Sequence, residues 1–329
     1  MFADDLKFAQ RVEGPEDTTV IQETLSRLHH WCLLNCMELN VSKCSIITFH
    51  HIRSPILATY SISGQALARH ERVRDLGVTF EKDLRFITHI QNIKSKASRM
   101  LGFISRNSKN FADVSTLKTL YYAYVKSVLE YCSVVWSPYY SVHIKSLESI
   151  QHKFLRSIAF RTNSPIRNHD YSEIETKYEV MTLGARRQLN DLVFLHKLIN
   201  HNIFCPDLLY QINIHVPTRN TRSQTIFKLD RCKTNAQQHS SLQRCQNLWN
   251  KLASEGDVDV FSDPCSRIVD FAAKGGLPFA LKTLQSALFF IILFYFYFYK
   301  LTDIKCPFLQ WSYIISKIKE EYIYNNKKN

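Results

Sequence analysis

Met1-Phe2-Ala3-Asp4-Asp5-Leu6-Lys7-Phe8 opens the chain with two adjacent carboxylates in an otherwise apolar, strand-prone stretch. The pattern predicts a strand that turns at Asp4-Asp5 and runs out again. Asp favours turns, so the doublet reads first as ordinary hairpin chemistry. The sharper reading is a cation site. Carboxylates at the tip of a rigid hairpin can hold a hard ion such as Mg²⁺ through oxygen ligands. Two carboxylates hold such an ion poorly, so further ligands are expected from elsewhere.

Working outward, Gly14-Pro15 offers a helix start with Glu16 and Asp17 in the first turn. Ile21, Leu25, Leu28 and Cys32 follow at helical spacing, which predicts a helix to Met37 closed by Asn40. Short β-prone runs come next at residues 44–49, 59–62 and 73–80, the last around Leu76-Gly77-Val78. From Asp83 the pattern is helical. Phe86, Ile90, Ile93, Ala97, Leu101 and Ile104 share one face. Arg99 and Arg106 fall opposite, with Lys94 and Lys96 flanking. Further helices are expected near 114–131, around Ile144–Ile158 and near 185–199. Residues 205–250 read as looser, with a basic loop at Arg219-Asn220-Thr221-Arg222.

The 329 residues carry 42 Lys and Arg against 29 acids, a net charge of +13. That surplus favours a polyanionic partner, nucleic acid or an acidic membrane face, over a merely solvated surface. Gly is scarce at 8 residues, and no Gly-rich phosphate loop is present. The 9 cysteines include no Cys-x-x-Cys pair and read as reduced core thiols, with an intracellular setting, nucleus or cytoplasm. His29, Cys32 and Cys36 can be drawn as half a zinc site, although core packing suits them better. Asn40-Val41-Ser42 fits a glycosylation sequon without other secretory signs.

The C-terminal stretch is different again. Residues 287–299 are apolar throughout and would span ~20 Å as a helix, short of the ~30 Å hydrocarbon core. Extended to 277–301, the segment is an alternative membrane anchor. Most of residues 287–329 are Phe, Ile, Tyr, Lys or Asn, which reads better as translated AT-rich non-coding sequence.

Phe2-Ala3-Asp4-Asp5 resembles the Phe/Tyr-Ala-Asp-Asp box of reverse transcriptases. Trp31 to Cys44, with Trp31-Cys32 and Leu39-Asn40-Val41-Ser42-Lys43-Cys44, is similar to the stretch after that box in jockey-type non-LTR retrotransposon polymerases. Leu76-Gly77-Val78 through Asp83, Leu84, Phe86, His89 and Ile90 resembles their next block. Tyr131 to Pro138, Arg219 to Arg222 and Trp249-Asn250 resemble later segments, so the similarity covers about residues 1–255.

The resemblance implies an α+β fold. Residues 1–82 would be part of a polymerase palm, short antiparallel strands plus a helix. Residues 83–160 would be a mainly α-helical thumb, 161–283 a helical or irregular C-terminal extension, and 284–329 a tail that is no true domain. It further implies RNA-directed DNA polymerase activity by descent, with RNA template, DNA primer and deoxynucleoside triphosphates as partners. Asp4 and Asp5 would bind the Mg²⁺ of a two-metal site, Phe2 would sit beside the incoming sugar, and Lys43 would act at the leaving pyrophosphate. Leu76, Gly77 and Val78 would form the primer grip, and Lys94, Lys96, Arg99 and Arg106 would meet nucleic acid. A further Asp on an earlier strand belongs to the pattern and stands nowhere in this sequence. The chain is therefore expected to be inactive as a polymerase by itself, with an unpaired sheet edge, or to persist as a non-catalytic nucleic-acid-binding remnant.

Overall fold

A computed structural model describes residues 5–111, 113–164, 166, 169–216, 225–255, 259–274 and 310–317. The chain divides into two compact units, residues 1–85 with 300–329, and residues 86–299.

Unit 1 begins with β1 (Asp5–Val12) and α1 (Pro15–Leu34). Pro15 sits at the first helical position, where no N–H is needed. The Asp17 carboxylate accepts the backbone N–H groups of Glu13 (2.7 Å) and Gly14 (3.0 Å). A 3-10 turn, Val41–Lys43, then feeds β2 (Ser45–Phe49). β3 (Ser61–Ile62) and β4 (Gln65–Ala66) form a small pair, β5 (Ala68–Arg69) follows, and β6 (Arg72–Asp75) and β7 (Val78–Glu81) form a hairpin. β8 (Gln310–Lys317) comes from the far end of the sequence.

The main sheet has the order β1-β8-β2-β5. β8 is antiparallel to β1 from Asp5↔Lys317 to Val12↔Gln310, and antiparallel to β2 from Ser45↔Ile315 to Phe49↔Trp311. β1 and β2 are therefore parallel, joined by α1, with one strand between them: a split β-α-β unit. β8 pairs the inner rims of β1 and β2, while β1 and β5 are the outer strands of the sheet. Residues 310–317, expected to belong to no domain, are thus part of unit 1.

Alternation along the strands sorts the two faces. On one face, Val12 and Ile46 bury against Ile21 and Leu25 of α1, with Tyr60, Ile62 and Leu67, and Phe8 packs on the same cluster. On the other, Phe49 meets Phe80 of β7 edge-on at 6.5 Å, and Lys7 reaches Asp75 of β6. The helix and the hairpin therefore cover opposite faces of the sheet.

Unit 2 is helical: α2 (Ile87–Asn107), α3 (Val114–Tyr121), a π turn (Tyr122–Lys126), α4 (Ser127–Glu130), α5 (Ser133–Trp136), α6 (Ser141–Arg161), α7 (Ser172–Lys177), α8 (Leu183–Ile199), α9 (Pro206–Leu209), α10 (Asn235–Gln238), α11 (Ser241–Glu255) and α12 (Cys265–Lys274). The helix expected over 114–131 is one rod with a π turn in its middle. α2 buries Ile90, Ile93, Ala97, Leu101 and Ile104 on its expected apolar face. α6 answers with Leu147, Ile150, Leu155 and Ile158, all at 0% exposure. Each such side chain contributes about 1.5–3 kcal/mol.

Polar groups fix how these helices meet. Gln151 of α6, buried, accepts the Tyr121 hydroxyl (3.1 Å) and donates to the Met181 carbonyl (2.9 Å). The Glu148 carboxylate accepts Leu183 N–H (3.2 Å) and Gly184 N–H (2.7 Å), capping α8 from a neighbouring helix. Arg244 of α11 holds buried Asp191 of α8 through Nε (2.6 Å) and Nη2 (3.0 Å). Residues 205–250, expected to be loose, contain the first ten residues of this α11 helix, whose polar outer face hid its apolar stripe. The expected basic loop at 219–222 and the boundary at 283/284 lie outside the described residues. So does the 277–301 segment; among the described residues no helix is long and apolar enough to cross a membrane.

Candidate nucleic-acid interface and acidic doublet

Phe2 and Asp4 lie outside the described residues, and Asp5 is the first residue of β1. The sheet register nevertheless places the expected site residues. Ser45 is level with Ile315, and Ile315 is level with Lys7. Because β1 and β2 run parallel, Lys43, two residues ahead of β2, comes to the same end of the sheet as Asp5. The two strands stand two spacings apart, about 9.6 Å. Lys43 closes the 3-10 turn and is exposed.

The hairpin tip comes to this end as well. Lys7 is two residues, about 6.8 Å, along β1 from Asp5. Its ammonium pairs with Asp75 Oδ1 at 2.7 Å, and the two side chains are only 6% and 4% exposed. Asp75 immediately precedes the turn Leu76-Gly77. Leu76 has φ +41° and Gly77 φ +86°. Positive φ at both central residues of a two-residue loop is the tight turn that matches strand twist. Val78 then enters β7 fully buried. One end of unit 1 thus collects Asp5, Lys43 and the Leu76–Gly77 tip. A buried ion pair ties the strand that follows the doublet to the hairpin, and a salt bridge lost on one side there would leave an uncompensated buried charge. Lys7 and Asp75 were not among the expected site residues; an isolated Lys and Asp far apart in sequence carry no signal of their pairing.

Asp75 is engaged by Lys7, and among the described residues no group of three His, Cys, Asp or Glu side chains could hold a metal ion. A hard cation wants several oxygen ligands, so the described residues do not by themselves make a magnesium site. The alternative half-site also separates: Cys32 is buried, with burial raising its thiol pKa, while Cys36 is exposed and His29 Nε2 lies 2.6 Å from Ser63 Oγ. Asn40 Oδ1 of the sequon accepts the Ser42 hydroxyl at 2.6 Å.

In unit 2, the expected nucleic-acid residues sit on α2. Lys96, Arg99 and Arg106 are exposed on the face opposite the buried stripe, and Lys94 is half-buried on the flank. That flank leads into an open groove of about 300 Å³ between α2 and α6. Leu101 and Phe154 line it with Ser98, Ser105 and Ser157, and Lys153 adds a cation. Arg161 closes its end by donating to the Ser108 carbonyl (2.6 Å) and the Phe111 carbonyl (3.0 Å). The serines escaped the sequence reading because only the packing of two helices brings them together. Trp249 and Asn250 have structural work: Trp249 Nε1 donates to Leu192 O (3.0 Å), and Asn250 Oδ1 accepts Ile226 and Phe227 N–H groups (3.0 and 2.9 Å).

Against known proteins, no family model and no solved structure matches. The RNA-directed DNA polymerase from mobile element jockey of Drosophila melanogaster is 26% identical over 190 residues, 56% of this chain and 20% of that protein. The chain is distantly similar to a reverse transcriptase. It spans about a fifth of the length of that relative.

Proposed function

We propose that the chain is palm and thumb of a jockey-like, non-LTR retrotransposon RNA-directed DNA polymerase, and that its own direct act is to grip template–primer duplex. The observation that carries this reading is the convergence of Asp5, Lys43 and the Leu76–Gly77 tip at one end of unit 1. The distant similarity to the jockey polymerase supports it independently. In this reading Lys43 offsets charge on a triphosphate, and the hairpin tip steadies the primer. Lys96, Arg99 and Arg106 meet backbone phosphates without reading sequence. Polymerisation by the whole enzyme would join deoxynucleotides to a primer 3′-hydroxyl with Mg²⁺ bound by Asp4, Asp5 and further ligands. No step through that ion is assigned to the described residues.

Fluorescence anisotropy with a labelled RNA–DNA hybrid tests the reading. Binding that weakens linearly on a log–log plot against salt is expected. Absence of binding at low salt overturns it. Primer extension with Mg²⁺ and deoxynucleoside triphosphates distinguishes grip from chemistry: binding without extension is expected. Extension abolished by Asp5→Asn would show that the chain assembles a complete metal site.

A further inference from the structure

We propose that the slot between β1 and β2 is a strand-acceptor site and that residues 310–317 are its exchangeable occupant, a ligand carried by the chain itself. Three observations converge on the slot. Its two walls are parallel strands linked by α1, so neither can pair directly with the other in that arrangement, and the opening is one strand wide. Its occupant registers with eight residues of β1 and five of β2. Without that strand the inner rims of both walls would present unpaired N–H and C=O groups.

The slot lies between two covered faces. Val12 and Ile46 are buried on the helix side, and Ala9, Ile47 and Phe49 are buried in the strands' other alternation. Residues 310–317 alternate in sequence: Trp311, Tyr313 and Ile315 fall in one alternation, and Gln310, Ser312, Ile314 and Ser316 in the other, with Ile314 in register with Phe8 and Ile46. Lys317 is in register with Asp5.

The occupant comes from remote sequence. All of unit 2 lies between β7 and residue 300. The strand is therefore held by docking, not by a local hairpin, and its own-chain advantage is one of effective concentration only, typically millimolar for a short linker and less for a long one. The same segment of a second copy makes the same hydrogen bonds, so strand addition in trans follows at high concentration.

Hydrogen exchange on the full chain tests this inference. Ile314→Pro removes a ladder N–H in the middle of the strand. Exchange in residues 6–12 and 45–49 should accelerate by about tenfold or more, while α6 and α8 keep their rates. A synthetic peptide of residues 308–319 should restore protection to both segments of that variant. Unchanged exchange in the variant overturns the proposal. A second measurement covers loss of folding by the variant: labelled peptide is titrated onto the chain lacking residues 300–329. The wild-type peptide should saturate, and the peptide with Pro at position 314 should bind about a hundredfold more weakly. Equal affinity of the two peptides, or no binding of either, overturns it as well. Neither measurement uses nucleic acid, so this proposal stands or falls apart from the polymerase reading.

Discussion

Replacing Lys96, Arg99 and Arg106 together by Gln should reduce the salt dependence of duplex binding by a calculable amount. Lys96 to Arg106 covers ten residues of helix, a rise of about 15 Å. A duplex presents one phosphate charge per ~1.7 Å of axis, so three phosphates are easily reached over that length. Each neutralised phosphate contributes about 0.9 to the slope of log K against log salt. If all three cations engage, the slope becomes shallower by about 2.7. Between 50 and 200 mM salt the parent should then lose roughly fortyfold more affinity than the variant. Gln keeps helix propensity, and the three side chains are exposed, so folding should change by no more than about 0.5 kcal/mol. The assay is anisotropy of a labelled RNA–DNA hybrid at several salt concentrations. The control exchanges Lys145, Lys228 and Lys233, also exposed, for Gln, giving an equal change in net charge. Equal slopes for the two variants would refute the assignment of α2 as the phosphate-facing helix.

Two further predictions concern the scaffold. Arg244→Met strands the Asp191 carboxylate in the interior and should cost about 3–5 kcal/mol in urea unfolding followed by tryptophan fluorescence. Burial already raises the Asp191 pKa, opposed by Arg244. Removing the guanidinium raises it further, so stability is present at low pH and is lost as pH rises through the folded-state value. The deficit of the variant should therefore shrink as pH falls from 8 towards 5; a pH-independent deficit would contradict the pairing. Gly77→Ala puts a Cβ at φ +86° and should destabilise the β6–β7 hairpin by about 1 kcal/mol, read as faster exchange across residues 72–81. A neutral result there would mean the turn is not formed as described.

Helical periodicity made α1, α2, α6 and α8 legible, because each carries an apolar stripe long enough to stand out from its polar face. Residues 73–80 read as one β-prone run around Leu76-Gly77-Val78, whereas the structure breaks it at Leu76-Gly77 into the strands 72–75 and 78–81, a turn whose positive φ Gly77 tolerates. α11 was not, since Gln, Arg, Asn and Lys outnumber its buried Leu242, Cys245, Trp249 and Leu252. The π turn at Tyr122–Lys126 left no trace either, as it alters hydrogen bonding without altering residue type. What most escaped the sequence was long-range pairing. The Lys7–Asp75 ion pair, the Glu148 cap on α8 and the strand at 310–317 each join residues whose local surroundings say nothing of the partner. Conversely, Asp5 and Lys43 needed only the register of a parallel strand pair to be brought to one end, and the Leu76–Gly77 tip joins them through the Lys7–Asp75 pair.

Unit 1 is discontinuous in sequence, and this orders its biosynthesis. β1 and β2 leave the ribosome early, whereas the strand that sits between them is made after all of unit 2. At about 5–20 residues per second, translating the intervening segment takes some tens of seconds. Unit 2 folds within that interval, while the nascent N-terminal sheet waits half-assembled and offers its rims to chaperones or to neighbouring nascent chains. A slow final step is thereby written into the order of synthesis.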